Sequence, residues 1–127
     1  MHQWVEGSFP VLIMGEAGTG KELLARALHH LGPRKEGMLM SIRCGSMSEE
    51  QLDIELFGCV ASHLPNAVAD RKGIFELAQT GTVFLEEIDQ ASPNIQTKLV
   101  RMLNEGEVRR SGDSVGRKVS VRLVTSI

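Results

Sequence analysis

The sequence lacks the features that would indicate several common classes of protein. Its 14 Lys and Arg are balanced by 16 Asp and Glu, so no basic excess indicates a nucleic-acid surface. No apolar run approaches the roughly 20 residues of a membrane span, and no basic-then-apolar export signal begins the chain. The cysteines Cys44 and Cys59 fit no CxxC or zinc pattern, which favours free thiols in a reducing cytoplasm. Aromatic residues are also scarce, with four Phe, one Trp and no Tyr.

Glycine is the residue in surplus, with 13 among 127 positions. Continuous apolar runs are typical of strands covered on both faces, and they predict strands over 11–14 and 82–85, with 38–43 as a further strand candidate. Apolar residues at helical spacing, with caps and a following glycine, predict helices over 22–31, 48–57, 73–79 and 93–105. A hairpin around 112–116 and an alternating strand over 119–124 follow, and 59–72 is predicted to be a loop. This alternation predicts an α/β sandwich with a largely parallel sheet.

A glycine-rich segment between the first strand and the first helix has the pattern of a phosphate-binding loop. Its residues are Gly15, Glu16, Ala17, Gly18, Thr19, Gly20 and Lys21. Glycines let successive N–H groups point at phosphate oxygens, and the helix N-terminus adds its positive dipole end. Lys21 supplies a full charge to the β- and γ-phosphates, whereas Glu22 replaces the usual Ser or Thr that ligates magnesium. A glycine-rich turn with a surface lysine is the alternative.

Two carboxylates end the predicted strand over 82–85. Glu86 and Glu87 follow the apolar run directly. Strand-terminal carboxylates beside a phosphate loop suit a magnesium ligand followed by a base that orients water. Glu86 is predicted to hold magnesium, directly or through water, and Glu87 to polarise the nucleophile. Two solvated glutamates at a strand end are the alternative reading.

Ordered blocks along nearly the whole chain resemble the ATPase domain of the sigma-54-dependent transcriptional activators, a branch of the AAA+ ATPases. The blocks lie at 11–29, 44, 55–58, 73–78, 81–88, 96–103 and 121–122. In that family a Glu follows the phosphate-loop lysine, so Glu22 agrees with the resemblance. The resemblance implies a three-layer P-loop NTPase fold that binds ATP and Mg²⁺. It also implies assembly into rings that use hydrolysis to remodel the sigma-54 RNA polymerase holoenzyme.

The loop that contacts polymerase in that family departs from the pattern here. The family carries GAFTGA, and the six corresponding positions are Ser62, His63, Leu64, Pro65, Asn66 and Ala67. The loop keeps the family's length, but Ala67 alone matches. A retained length with a lost motif indicates drift or a new partner rather than a deletion, so the interaction with the polymerase holoenzyme is in question.

Two further departures lie among the catalytic residues that the resemblance implies. Arg43 stands where the family has an Asn that holds the catalytic Glu, and an arginine there is expected to clamp Glu87 and lower its basicity. Glu86 stands where the family has Asp, and its extra methylene changes the reach to the metal. These departures make a second function plausible, a degenerate regulatory or oligomerisation module with weak or absent hydrolysis. A small-molecule P-loop kinase is disfavoured, because the 55–58 block and the hairpin have no role in it.

The resemblance also predicts that the chain is part of a larger domain. The family's counterpart of the strand over 119–124 lies centrally, beside the phosphate-loop strand, and leads to a Thr-Asn sensor whose Thr position is Ile127. We therefore expect residues 1–127 to be a partial AAA+ domain, truncated before the last core strand and the helical lid and inactive in isolation. The phosphate-loop strand then becomes an open edge. DNA contact is expected only through a region absent here.

Other polar residues have readings that remain open. His29 and His30 are predicted to be packed or solvated rather than metal ligands. Cys44 is predicted to be a small buried residue rather than a reactive thiol. A basic stripe is predicted to be a solvated face or a subunit contact rather than a nucleic-acid surface, and it consists of Arg101, Arg109 and Arg110.

Overall fold

A computed structural model describes residues 11–14, 20–32, 36–61 and 69–127. Its strands are β1 (Val11–Ile13), β2 (Leu39–Arg43), β3 (Gly58–Cys59), β4 (Arg71–Lys72), β5 (Thr82–Glu86), β6 (Glu107–Val108), β7 (Arg117–Lys118) and β8 (Arg122–Ser126). Its helices are α1 (Lys21–Leu31), α2 (Glu49–Phe57), α3 (Ile74–Leu77) and α4 (Pro93–Glu105), with 3-10 turns at Cys44–Ser46 and Ile88–Gln90. No helix in these ranges has the length and apolar character needed to cross a membrane.

The main sheet has four parallel strands in the order β1-β8-β5-β2 within the described ranges. The prediction of a largely parallel sheet is confirmed, and β8 lies beside β1 as the resemblance implies. β8 starts later than the alternating pattern predicts. Val119 N–H donates to the Gly106 carbonyl and the Ser120 carbonyl accepts from Thr80 N–H. Because the backbone groups of Val119 and Ser120 are hydrogen-bonded to these other segments, the parallel pairing of β8 with β5 begins only at Arg122, whose N–H donates to the Gly81 carbonyl.

Helices cover both faces of the sheet, which gives the predicted three layers. Successive side chains of a strand point to opposite faces. On β5, Val83 and Leu85 pack into a large cluster with α2, α3 and α4, whereas Phe84 packs into a smaller cluster with α1. All three side chains are at most 1% exposed. Burial on both faces explains why this strand has a continuous apolar sequence.

The two longer helices after the first begin and end where their capping residues predict. Ser48 Oγ accepts a hydrogen bond from Gln51 N–H at 3.2 Å and starts α2. Ser92 Oγ accepts from Ile95 N–H at 3.2 Å and starts α4. Gly106 ends α4 with φ at 69°, a left-handed conformation that glycine adopts without strain. These ends are set locally, so the sequence pattern is sufficient to locate them.

The predicted loop over 59–72 has a paired base. β3 and β4 form an antiparallel pair in which Gly58 is opposite Lys72 and Cys59 is opposite Arg71. Ser111, in the later hairpin segment, is hydrogen-bonded to the base of this loop. Its N–H donates to the Gly58 carbonyl at 2.9 Å and its carbonyl accepts from Val60 N–H at 3.1 Å. Strands of two residues have no readable alternation, so this pairing depends on tertiary contacts.

The predicted basic stripe does not form, because acidic side chains pair with each of its arginines. Arg110 is only 8% exposed and makes two 3.0 Å hydrogen bonds to the carboxylate of Glu76. Arg101 and Arg109 each hold a carboxylate oxygen of Glu105 at 2.9 Å. The expectation of a solvated face is therefore wrong for Arg110, which instead ties α3 to the hairpin segment.

His29 is a packed histidine, as predicted. It is 3% exposed, its Nδ1 lies 2.8 Å from Thr82 Oγ1, and its Nε2 lies 3.0 Å from the carbonyl oxygen of Gly37. Since a carbonyl only accepts, the hydrogen-bond network assigns the proton to Nε2. Burial lowers the pKa of His29, and the nearby His30 and Arg122 charges lower it further. The ring is therefore held in its neutral form.

Acidification is expected to destabilise the fold through His29. Because the folded pKa is lowered, the unfolded chain takes up the proton first, and the free energy of unfolding falls as the pH drops below about 6.5. The slope for this one proton is at most about 1.4 kcal/mol per pH unit. Urea unfolding at about pH 7.5 and about pH 5.5 measures the effect. His29→Asn should lose most of this pH dependence and His30→Asn should keep it, so equal dependence in the two variants would contradict the assignment.

Candidate functional site

The carboxyl ends of the parallel strands meet at one edge of the sheet, and the predicted site residues lie there. β2 ends at Arg43 and β5 ends at Glu86, and these two residues are opposite each other in the register. β8 ends at Ser126, opposite Ile13 of β1. In open parallel sheets, ligands bind at this edge. The topology therefore brings Arg43, Glu86 and Glu87 to the place where a phosphate ligand is expected.

Lys21, in the first turn of α1, reaches the same edge. Its Nζ donates a hydrogen bond at 2.7 Å to the carbonyl oxygen of Ile127, one residue beyond β8. Gly20 is the N-cap of α1, with φ at 83° and ψ at 20°, a left-handed conformation that favours glycine. Gly20 makes no side-chain capping hydrogen bond to the first turn of this helix. Such a helix N-terminus suits an anion.

Parts of the predicted site lie outside the described residues. They are the phosphate-loop residues 15–19, the side chain of Glu22, and the loop residues Ser62, His63, Leu64, Pro65, Asn66 and Ala67. Their predicted roles stay predictions. The structure does describe the base of that loop, where Ala61 N–H donates to Asp70 Oδ1 at 2.9 Å.

The ion pair of Arg43 differs from the one expected. Arg43 Nε lies 4.0 Å from Glu86 Oε2, and the two side chains are 60% and 26% exposed. The salt bridge expected with Glu87 is replaced by this one, because the register sets Arg43 directly across from Glu86 while the chain turns after Glu86. At this separation and exposure, solvent screens the attraction strongly.

Glu87 has an unusual backbone conformation and a close neighbour. Its φ is 58° and its ψ is 47°, in the left-handed region that L-residues with side chains rarely adopt. It begins the 3-10 turn over Ile88–Gln90, and its carbonyl accepts from Gln90 N–H at 2.9 Å. The carboxylate lies over Gly45, where an added Cβ would collide with Oε2. Sequence reasoning missed Gly45, because one glycine in a glycine-rich chain carries no signal of what approaches it.

The acidic side chains make this corner of the sheet electronegative. Burial, together with the charges of Glu87, Asp89 and Glu86, raises the pKa of the Cys44 thiol to about 11. Cys44 is 1% exposed and, like Cys59, forms no disulfide. It is thus the small buried residue that the sequence predicts. A thiol held neutral by its surroundings is inert, whereas the same surroundings favour a cation.

The residues present fit a magnesium ion only in part. In the described ranges, no three or more His, Cys, Asp or Glu side chains are grouped so as to hold a metal ion. Glu86 at the end of β5 supplies one carboxylate, partly buried at 26% exposure. Mg²⁺ is commonly held by one or two carboxylates with substrate phosphates and waters completing its shell. The site therefore suits magnesium that enters together with a nucleotide.

Sequence comparison identifies relatives over the whole chain. Residues 1–127 match the family described as "Sigma-54 interaction domain". The Nif-specific regulatory protein of Herbaspirillum seropedicae is 48% identical over 126 residues, which are 99% of this chain and 23% of that protein. The hydrogenase transcriptional regulatory protein HoxA of Bradyrhizobium diazoefficiens is 48% identical over 116 residues, 91% of this chain and 24% of that protein. The chain spans about a quarter of the length of these curated relatives.

Solved structures share the fold. NtrX from Brucella abortus in complex with ATP has a TM-score of 0.87 at 29% identity, over 98% of this chain and 26% of that one. NtrX in complex with ADP has a TM-score of 0.86 at 30% identity, over 96% of this chain and 26% of that one. The P-loop NTPase domain of the sigma-54 transport activator from E. coli has a TM-score of 0.59 at 22% identity, over 98% and 67% of the two chains, which shows the fold alone.

The strained backbone of Glu87 leads to a stability prediction. Glu87→Gly is expected to raise the free energy of unfolding by about 1 kcal/mol, because glycine adopts φ at 58° without the steric strain of a Cβ. Thermal or urea unfolding measures the change. Gln90→Gly, in the same 3-10 turn but without positive φ, is the matched control and should lower stability by roughly 0.5–1 kcal/mol. A loss of stability in both variants would show that Glu87 is not strained.

Proposed function

Because the chain belongs to the sigma-54 interaction domain family and has the P-loop NTPase fold, we propose that it is an AAA+ nucleotide-binding domain that binds ATP with Mg²⁺. The observation that carries the proposal is the meeting of Lys21, Glu86 and Glu87 at the carboxyl edge of one parallel sheet. NtrX, at 29–30% identity, is described in complex with ATP and with ADP, which supports nucleotide as the ligand.

The phosphates are proposed to bind between β1 and α1. Residues 15–20 and the first turn of α1 donate backbone N–H groups to phosphate oxygens, and Lys21 binds the β- and γ-phosphates. In the structure, Lys21 Nζ donates to the main-chain oxygen of Ile127. The proposal is that this hydrogen bond is exchanged for charge-assisted hydrogen bonds to phosphate oxygens when the nucleotide binds.

Hydrolysis is proposed to use the two carboxylates in different roles. Magnesium, when bound, neutralises phosphate charge, and Glu86 is the residue that holds it, directly or through water. Glu87 orients water and accepts its proton. The left-handed turn at Glu87 supports this division, since it carries the carboxylate to Gly45 while Glu86 remains opposite Arg43.

The energy of ATP hydrolysis is proposed to remodel RNA polymerase that carries sigma-54. The names of the relatives, regulators of nif and hydrogenase genes, support a role in transcription, which takes place in the bacterial cytoplasm. The loop at 62–67 is the proposed partner contact, although its sequence departs from the family motif. The curated relatives are about four times as long. We place ring assembly and DNA contact in a longer protein of that kind, of which residues 1–127 form part of one AAA+ domain.

A degenerate module is the second candidate. Arg43 pairs with Glu86, so a permanently charged guanidinium lies near the carboxylate proposed for magnesium. Together with the altered loop, this observation favours a regulatory or oligomerisation domain that binds nucleotide without fast turnover. The two candidates share the binding site and differ in the rate of hydrolysis, which a turnover measurement distinguishes.

Removal of the phosphate-loop charge tests the shared part of the proposal. Lys21→Ala is expected to weaken ATP binding about tenfold or more, because a charge-assisted hydrogen bond contributes about 1.5–3 kcal/mol. Isothermal titration of Mg-ATP into the purified protein measures the affinity. Lys118→Ala, at an exposed lysine of β7, is the matched control and should bind as the wild type does. Unchanged affinity in Lys21→Ala would contradict the site.

Neutralisation of the proposed base tests hydrolysis. Glu87→Gln is expected to lower the ATP turnover rate about 100-fold or more while the ATP affinity stays within about twofold, because a general base acts on the water and not on the nucleotide. Asp89→Asn, at an exposed carboxylate two residues further on, should keep the wild-type rate. Both variants are made in the longer protein of which residues 1–127 are proposed to form part, and a wild type of that protein that binds ATP without turning it over would establish the degenerate module instead.

A further inference from the structure

Arg43 presents unused hydrogen-bond donors at the carboxyl edge of the sheet. Its ion pair in the described part of the chain joins Nε to Glu86 Oε2 at 4.0 Å, while Nη1 and Nη2 have no acceptor among the described residues. The side chain is 60% exposed. A guanidinium has five N–H donors in a planar fork that matches phosphate oxygens in pairs. The terminal nitrogens of Arg43 are therefore available to an anion that enters this edge.

The backbone of Arg43 is held in place by its strand contacts, whereas its side chain is held only weakly. Its backbone closes β2, and its carbonyl accepts from Ser46 Oγ at 2.8 Å. The register holds it directly opposite Glu86, the carboxylate proposed for magnesium. The side-chain ion pair is long and solvent-screened, so the guanidinium turns toward a stronger acceptor at little energetic cost. A phosphate at this edge is such an acceptor.

We propose that Arg43 is a second cationic ligand of the terminal phosphates of ATP, beside Lys21, and that it makes ATP binding at this site less dependent on Mg²⁺. This inference rests on the proposed function. The phosphates of ATP and the carboxylate of Glu86 are all negative, so without a metal ion they repel each other. The permanently charged guanidinium of Arg43, opposite Glu86 in the register, offsets that repulsion when it turns toward the phosphates, whereas an uncharged side chain at position 43 leaves it in place.

The alternative role for Arg43 is a structural ion pair at the edge of the sheet. That role predicts a small change in stability and no change in how magnesium affects ATP affinity. An exposed pair at this distance contributes little to stability. The two roles therefore differ in one measurable quantity, the ratio of the ATP dissociation constant in excess EDTA to the constant in excess Mg²⁺.

The experiment measures this ratio by isothermal titration of ATP into the purified protein. We expect the ratio to be about tenfold larger in Arg43→Asn than in the wild type, with Arg43→Lys in between because it keeps the charge and loses the planar fork. Arg43→Gln, which keeps the length without the charge, repeats the test in a second variant. Arg101→Asn is the matched control, since Arg101 is also paired with a glutamate and 57% exposed, and it should keep the wild-type ratio.

The outcomes separate this inference from the proposed function. If Lys21→Ala weakens the ATP binding of the wild type, but the ratio is equal in the wild type and in both uncharged Arg43 variants, the inference alone is overturned. An equal rise of the ratio in Arg101→Asn would also overturn it, because any lost surface charge would then suffice. An absence of ATP binding by the wild type under both conditions would overturn the proposed function and this inference with it.

Discussion

The pairing of β5 on both edges and its burial on both faces constrain the rest of this structure. β5 is hydrogen-bonded in parallel to β2 on one side and to β8 on the other. Val83 and Leu85 pack on one face and Phe84 on the other, each at most 1% exposed. A strand held on four sides cannot shift its register without exposing its apolar side chains. The backbone position of Glu86, where β5 ends, is consequently the most tightly constrained position in the candidate site.

Charged side chains from different elements lie around Glu86. Glu86 is the last residue of β5 and is opposite Arg43, whereas Glu87 turns back over Gly45 in a left-handed conformation. Lys21 approaches the same edge from the start of α1. Cations and carboxylates thus surround the open end of the sheet, and Cys44 beneath them stays neutral because burial and the carboxylates raise its pKa to about 11. This arrangement suits a ligand that carries both phosphate and metal charge.

Most of the fold could be predicted from the sequence, because its signals are local. The continuous apolar run of β5, the caps Ser48 and Ser92, and the glycine after α4 each act within a few residues. The short β3–β4 pair and the late start of β8 were not predictable, since hydrogen bonds from distant segments set them. The burial of Arg110 depends in the same way on Glu76, which lies 34 residues away.

The sequence by itself determined the order of the main-sheet strands and of the helices, the glycine-rich segment ending at Lys21, the carboxylate pair after β5, and the resemblance that the family match bears out. The tertiary structure alone decided that Arg43 pairs with Glu86 instead of Glu87, that Glu87 lies against Gly45, and that Lys21 meets the end of β8. The reason is physical. Composition and periodicity act along the chain, whereas strand register and side-chain contact depend on segments that are distant in sequence and meet only when the core is buried.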